Sequence, residues 1–208
     1  MSFYAEQIFS RVMDWALRDG DVAHERQRAL SAARGSVLEI GFGTGLNLSH
    51  YPAAVSDLTA VDSEQMLQSR VASRIAEAPV PVKQFHVDAS GRLPFDDASF
   101  DSVVTTFTLC SIADVDSALT EMRRVLRSDG QYMFLEHGRS DNVRVARLQD
   151  LLNPVQRVVA CGCNLNRPID RTIRESGFEI LELERYLMPG MPRLVGELYR
   201  GIARRSAN

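Results

Sequence analysis

Apolar positions recur along this chain with two alternating periods, one helical and one strand-like. Over residues 3–18, Tyr4, Ile8, Val12 and Trp15 fall at helical spacing with Glu6, Arg11, Asp14 and Arg18 between them. This predicts an amphipathic helix that packs over a sheet edge or forms a lid on a ligand, with Tyr4 as the contributing side chain. A second helical stretch spans 22–33 and stops at Arg34-Gly35. The apolar run 37–40 then passes into Gly41-Phe42-Gly43-Thr44-Gly45, after which Leu46, Leu48 and Tyr51 return at near-helical spacing. A buried strand, a glycine loop and a helix with unpaired N–H groups at its start read this way. Further strands are predicted at 58–61, 82–87, 102–106 and 131–135, with helices at 64–78 and 114–127 between them. Pro79 and Pro81 stop the first of these helices, and Asp129-Gly130 stops the second. Past Gly138 the alternation pauses: 141–160 is helical and bent by Pro154, 161–168 carries cysteines, and a short helix ends at Ser176-Gly177. Segments 178–188 and 194–203 are strand-like around Pro189-Gly190-Met191-Pro192, a turn short enough to make them antiparallel neighbours.

Strands alternating with helices predict an α/β fold with a parallel sheet and right-handed crossovers. Ligands collect at the carboxyl ends of such strands. Glu39, Asp62, Asp88, the 106–110 segment and Glu136-His137 all fall at predicted strand ends. That convergence says more than any one motif.

The glycine loop has the spacing G-x-G-x-G, with Leu46 where a dinucleotide fingerprint would place its last glycine. Glu39 would repel a pyrophosphate and suits a cationic or amine-bearing ligand. Asp62 ends the second strand about 20 residues after the loop, where a ribose-binding carboxylate belongs. Asp62-Ser63-Glu64-Gln65 also carries a capping-box pattern, so Asp62 reads equally as a helix N-cap. A nicotinamide-dependent oxidoreductase shares this fold logic, but the missing glycine and Glu39 oppose it. A non-catalytic cofactor-binding protein would keep the loop and Asp62.

Composition narrows the class. The 208 residues suit one domain with a full core, and a net charge of −3 favours neither nucleic acid nor an anionic membrane. No apolar run approaches the ~20 residues that span a bilayer, and the N-terminus carries no signal-peptide pattern. Three cysteines fit reduced thiols in a cytoplasmic protein better than a disulfide framework. Cys161-Gly-Cys163 with Cys110 and His137 has the donor chemistry for a soft metal or trivalent arsenic. It lacks the paired C-x-x-C of a zinc site, so no metal is expected and the cysteines read as small apolar residues beside a ligand pocket. His137 is the candidate general base, with Glu136 orienting it or binding a substrate amine. The alternative is that both only organise the loop after the fifth strand.

The motifs Val-Leu-Glu-Ile-Gly-Phe-Gly-Thr-Gly at 37–45, Val61-Asp62, Asp88-Ala89, Leu93-Pro94-Phe95, Ser99-Phe100-Asp101 and Arg123-Arg124-Val125-Leu126 carry a resemblance. They resemble the class I S-adenosylmethionine-dependent methyltransferases, in the branch related to ubiquinone-biosynthesis and phospholipid N-methyltransferases. The likeness covers 36–137; Ser128-Asp129-Gly130 departs from the usual Pro-Gly-Gly at a surface turn. It implies a Rossmann-like seven-stranded, mostly parallel sheet with an antiparallel last strand and helices on both faces. It implies S-adenosylmethionine as cofactor, with the methionine moiety against Glu39, Gly41, Gly43 and Gly45. The ribose would lie on Asp62, the adenine near Asp88 and Ala89, and Phe107 would line the pocket. The 109–111, 134–137 and 162–167 segments resemble a narrower group, the small alkyl-thiol methyltransferases of the endoplasmic reticulum and their bacterial relatives. That likeness places Cys110, Cys163 and Arg167 on the acceptor side, and the group's N-terminal hydrophobic anchor is not seen in this sequence. The expected organisation is an N-terminal helical cap (1–35), a cofactor-binding core (36–140), a helical acceptor-side insertion (141–177) and C-terminal strands (178–208). The expected reaction is methyl transfer to a small acceptor, a hydrophobic thiol ahead of a phospholipid amine or a quinone precursor. Expected partners are that small molecule, no nucleic acid and at most peripheral membrane contact, in a monomer or homodimer.

Overall fold

The computed structural model describes residues 9–18, 20–63 and 67–206. In chain order the elements are α1 (Ser10–Ala16), α2 (Asp21–Leu30), β1 (Gly35–Ile40), β2 (Val55–Asp62), α3 (Gln68–Ala76), β3 (Val82–His86) and β4 (Phe100–Thr106). They continue with α4 (Val115–Val125), β5 (Leu126–His137), α5 (Val143–Val159), α6 (Ile169–Glu175), β6 (Phe178–Leu187) and β7 (Glu197–Arg205). The strands form one sheet in the order β3-β2-β1-β4-β5-β7-β6. Neighbours from β3 to β5 are parallel, and β7 runs antiparallel to both β5 and β6.

Successive strand side chains point to opposite faces, which splits the core in two. Leu38 and Ile40 pack with α4 and α6 through Leu119, Met122, Ile169 and Ile173. Val37 packs on the other face with Leu30 of α2 and Val71 of α3. Helices therefore cover both faces, as the Rossmann-like reading requires. Strand order reverses between β1 and β4, and this reversal opens a crevice at their carboxyl ends.

Four sequence expectations differ in detail. Where a full helix was expected after the glycine loop, there is a single turn of 3-10 helix at Leu48–His50. Gly41, Gly43 and Gly45 hold φ of +78°, +57° and +78°, and Pro52 follows closely, so little chain is left for a longer helix. The loop thus presents its own backbone to the crevice, with no long helix terminus behind it.

α3 begins at Gln68 with Leu67 as its N-cap, so Asp62 is not the cap of that helix. α1 turns over relative to its apolar pattern: Val12 and Trp15 are 53% and 72% exposed, while Ser10 and Asp14 are buried. Ion pairs to Asp14 decide its orientation. Tyr4 and Ile8 lie outside the described residues. Finally, β5 reaches back to Leu126 and absorbs the Asp129-Gly130 turn, and β7 begins at Glu197 where 194 was expected.

Candidate functional site

A cavity of about 890 Å³ lies at the carboxyl ends of β1 to β5, roofed by α1 and the end of α5. That is the size of a site for one cofactor with a small second ligand. The parallel register aligns its walls: Ile40 pairs with Val61 and Thr105, and Thr106 pairs with Leu135.

The glycines divide by role. A Cβ at Gly41 would fall inside the Thr108 side chain, so Thr108 fills that side of the glycine while its backbone still lines the cavity. At Gly43 a Cβ would meet only the Gly41 carbonyl oxygen, 4.0 Å away, and the backbone faces open cavity. This is where a ligand can lie directly on the chain. Gly45 does not line the cavity; a Cβ there would meet the Phe42 ring at 3.1 Å and Leu48 at 3.2 Å. Its expected ligand contact is replaced by a packing role. Asp62, at the tip of β2, accepts a hydrogen bond from Gly43 N at 2.7 Å and lines the cavity, so it shapes the loop as well as facing a ligand. Ala89 is buried, and Asp88 sits exposed at the rim with Oδ1 accepting from Ser90 N at 2.9 Å.

Beneath the loop lies a buried polar floor. Glu39 is 1% exposed and accepts from Asn47 Nδ2 at 2.8 Å and from Tyr51 OH at 2.7 Å. Arg26 of α2 donates to Asn47 Oδ1 and to Thr106 Oγ1, both at 2.8 Å, and its guanidinium sits 5.2 Å from the Phe107 ring centre. Burial pushes Glu39 up to about 7, against the opposing hydrogen bonds from Tyr51 and Asn47 and the charge of Arg26. Burial likewise pulls Arg26 down to about 10. Both carboxylate oxygens of Glu39 are already engaged, so a cationic ligand meets its charge and not a vacant acceptor.

The roof is tied on by Asp14. Its carboxylate accepts from Thr44 Oγ1, Arg70 Nη1 and Arg74 Nη1, each at 2.6 Å, and the same Arg74 nitrogen reaches Thr44 O at 2.6 Å. Burial would raise the Asp14 carboxyl, but Arg74, Thr44 and Arg70 together hold it below its ordinary value. Neither Arg26 nor Asp14 stood out in the sequence, because a charge on an amphipathic helix ordinarily belongs to its solvated face.

At the far end of the cavity His137 Nε2 lies 2.7 Å from Cys163 Sγ, with the Cys110 thiol buried beside them. Contact with Cys163 pulls the Cys110 thiol well below its usual range, and the same contact pushes Cys163 up. Burial opposes the His137 imidazolium, yet the neighbouring Cys110 charge raises it overall.

Two expected site residues serve the scaffold instead. Glu136 and His137 are consecutive strand residues and face opposite ways. The Glu136 Oε2 atom accepts from Thr108 N at 2.9 Å and Leu109 N at 3.1 Å, and the residue does not line the cavity. Burial raises its carboxyl to about 8. Arg167 donates to Leu109 O and, at 2.9 Å, to Ile112 O, bracing the Cys110 turn where an acceptor contact was expected.

The fit to S-adenosylmethionine is good on this structure's own terms. Open backbone at Gly43, acids at Asp62 and Asp88, and a buried carboxylate at Glu39 suit a ligand with a ribose, an amine and a sulfonium.

Comparison with known proteins agrees. A family model described as a methyltransferase domain matches residues 38–134. The human thiol S-methyltransferase TMT1A is 31% identical over 157 residues, 74% of this chain; the match spans 64% of that protein's length. Phosphatidylethanolamine N-methyltransferase of Cereibacter sphaeroides is 29% identical over 176 residues, covering 81% of this chain and 85% of that protein. Among solved structures, N-methyltransferase NodS from Bradyrhizobium japonicum, in complex with S-adenosylhomocysteine, superposes with a TM-score of 0.68. It covers 93% of this chain and 92% of its own at 16% identity, and so speaks for the fold.

Proposed function

The chain belongs to the class I S-adenosylmethionine-dependent methyltransferases, and from that membership we propose that its acceptor is a small hydrophobic thiol. The bound cofactor supplies an already activated methyl group on a sulfonium, so the protein's work is positioning and keeping the acceptor deprotonated. In this reading Gly41, Gly43 and Asp62 hold the methionine and ribose portions, Asp88 and Ala89 flank the adenine, and Glu39 offsets the ammonium from below. α1 excludes water from above through Met13 and Leu17.

The observation that carries the acceptor class is the far end of the cavity. It holds an imidazole 2.7 Å from a sulfur, in a cavity with apolar lining from Leu46, Phe107, Ile112 and Val195. A thiol with pKa near 8.5 is already a few per cent thiolate at pH 7, so His137 need only favour the charged sulfur. An alkyl amine near pKa 10 would need firmer deprotonation, for which this end offers no carboxylate of its own.

A phospholipid amine is the second reading, and one surface favours it. α5 exposes Leu148, Leu151, Val155, Val158 and Val159, with Arg144, Arg147 and Arg157 on the same helix. Val158 is 78% exposed and also lines the cavity, so an apolar chain has a continuous route inward. No helix among the described residues is long and apolar enough to cross a membrane. The deciding experiment measures S-adenosylhomocysteine formation with a short alkyl thiol and with a phosphatidylethanolamine dispersion side by side. Turnover of the lipid amine without the thiol overturns the thiol reading.

A further inference from the structure

Cys110, His137 and Cys163 come from three separate places: the turn after β4, the end of β5 and the turn after α5. Their donor atoms nevertheless all lie within 4.8 Å of one another. We propose that these three side chains bind one thiophilic divalent cation, of which Zn²⁺ is the best match, with a fourth coordination position open to the cavity.

The geometry is close to what such an ion needs. Zinc bonds of about 2.3 Å to sulfur and 2.0–2.1 Å to nitrogen in a tetrahedron put donor atoms roughly 3.3–3.8 Å apart. The His137–Cys163 contact at 2.7 Å must open by about 1 Å and the widest pair close by a similar amount, within the reach of side-chain torsions. The frame behind the donors is built and rigid. Asn164 donates to the Cys110 carbonyl oxygen twice, from its backbone N at 2.9 Å and from Nδ2 at 2.8 Å, pinning the two cysteine turns together. Arg167 ties the carbonyls of Leu109 and Ile112 from the other side, and Glu136 holds the amides of Thr108 and Leu109. Such supporting hydrogen bonds are what orient metal ligands. Charge points the same way. As ligands the two sulfurs become thiolates, and a divalent cation offsets that pair of charges.

Three protein ligands and an open position are the arrangement of a working zinc site, not a structural one. The fourth ligand rests on the thiol reading above: an alkyl thiol entering there loses its proton to solvent and stays as a bound thiolate, with no change of oxidation state. Binding of the ion likewise releases the protons still carried by the Cys110 and Cys163 thiols. The absence of a C-x-x-C pair does not count against the site, because its ligands meet by topology.

The test uses purified full-length protein, stripped of metal with a chelator, and Co²⁺ as a spectroscopic probe. One equivalent should give a sulfur-to-cobalt charge-transfer band and the intense visible bands of a tetrahedral site. One equivalent of Zn²⁺ should bleach them. C110S, C163S and H137A should each weaken binding at least ~100-fold, whereas C161S should bind normally. Calorimetry with S-adenosylmethionine shows whether each variant is folded. Cobalt spectra without sulfur bands in the wild type, or bands that disappear in C161S alone, overturn the site. Bands that do not respond to added alkyl thiol overturn the open position while leaving the metal site. Full-rate thiol methylation by the metal-free protein rejects metal assistance while upholding the thiol reading. Metal binding with no thiol turnover does the reverse.

Discussion

Arg74 Nη1 lies 2.6 Å from Asp14 Oδ1 and 2.6 Å from the carbonyl oxygen of Thr44. One guanidinium thus joins the roof helix α1, the glycine loop and α3. Asp14→Asn should loosen the roof without disturbing the sheet. Removing one partner of a buried ion pair costs about 3 kcal/mol here, the low end of the usual range, because Arg70 is half exposed. The folded-state carboxyl of Asp14 is depressed, so its contribution is present above the ordinary value of 3.8 and is lost as pH falls through the lower folded value. Urea melts of wild type and Asp14→Asn should therefore differ by a constant amount near neutrality and converge in acid. A gap that widens in acid contradicts the pairing.

Asp62 is expected to act twice on the cofactor, through its own contact and through Gly43 N, which it holds at 2.7 Å. Asp62→Ala should weaken S-adenosylmethionine binding by roughly 1.5–3 kcal/mol, about 10- to 150-fold in Kd. Gly43→Val is a different probe. The new side chain meets little protein but enters the cavity, and it also strains a backbone held at φ +57°. Calorimetry of folded variants showing unchanged affinity for both would remove the ligand from this loop.

Much of this was legible beforehand, for identifiable reasons. Strand ends can be read from apolar runs closing on polar residues, which places Asp62, Asp88 and His137 at the crevice they line. The antiparallel hairpin followed from its short Pro-Gly turn. Arg26 and Asp14 were not legible, because a buried charge is defined by partners 21 to 80 positions away in sequence, such as Asn47 and Thr106. Glu136 and Arg167 were legible as polar residues near the site, but not as braces: the sequence does not say that one takes backbone amides and the other backbone carbonyls.

Arg26 carries a stability prediction. It is 4% exposed and bonds Asn47 and Thr106 while facing Glu39. Arg26→Met should leave the floor with an uncompensated carboxylate and cost roughly 3–5 kcal/mol. Arg26→Lys should recover only part of that, because the shorter side chain stops short of the point where Nη1 meets both partners. The midpoint of urea unfolding at constant m-value is the measurement, and a neutral Arg26→Met would show that the network adds nothing to the fold.

Glu39 links the fold to the cofactor through a proton. Burial raises its carboxyl from 4.5 to about 7, so near pH 6.5 the ligand-free protein holds it largely protonated. A raised acid makes the folded state bind more protons than the unfolded one between those values, so stability should fall as pH rises across that window, by on the order of 3 kcal/mol at most. The Glu39→Gln variant should flatten that slope. An ammonium arriving above this floor favours the charged carboxylate and lowers its pKa. Binding of S-adenosylmethionine near pH 6.5 should therefore release a fraction of a proton, and at pH 9, where Glu39 is already ionised, this release should vanish. Calorimetry in buffers of different ionisation enthalpy reads the proton count directly. Equal release by wild type and Glu39→Gln would place the amine elsewhere; release in the wild type alone would put it over Glu39.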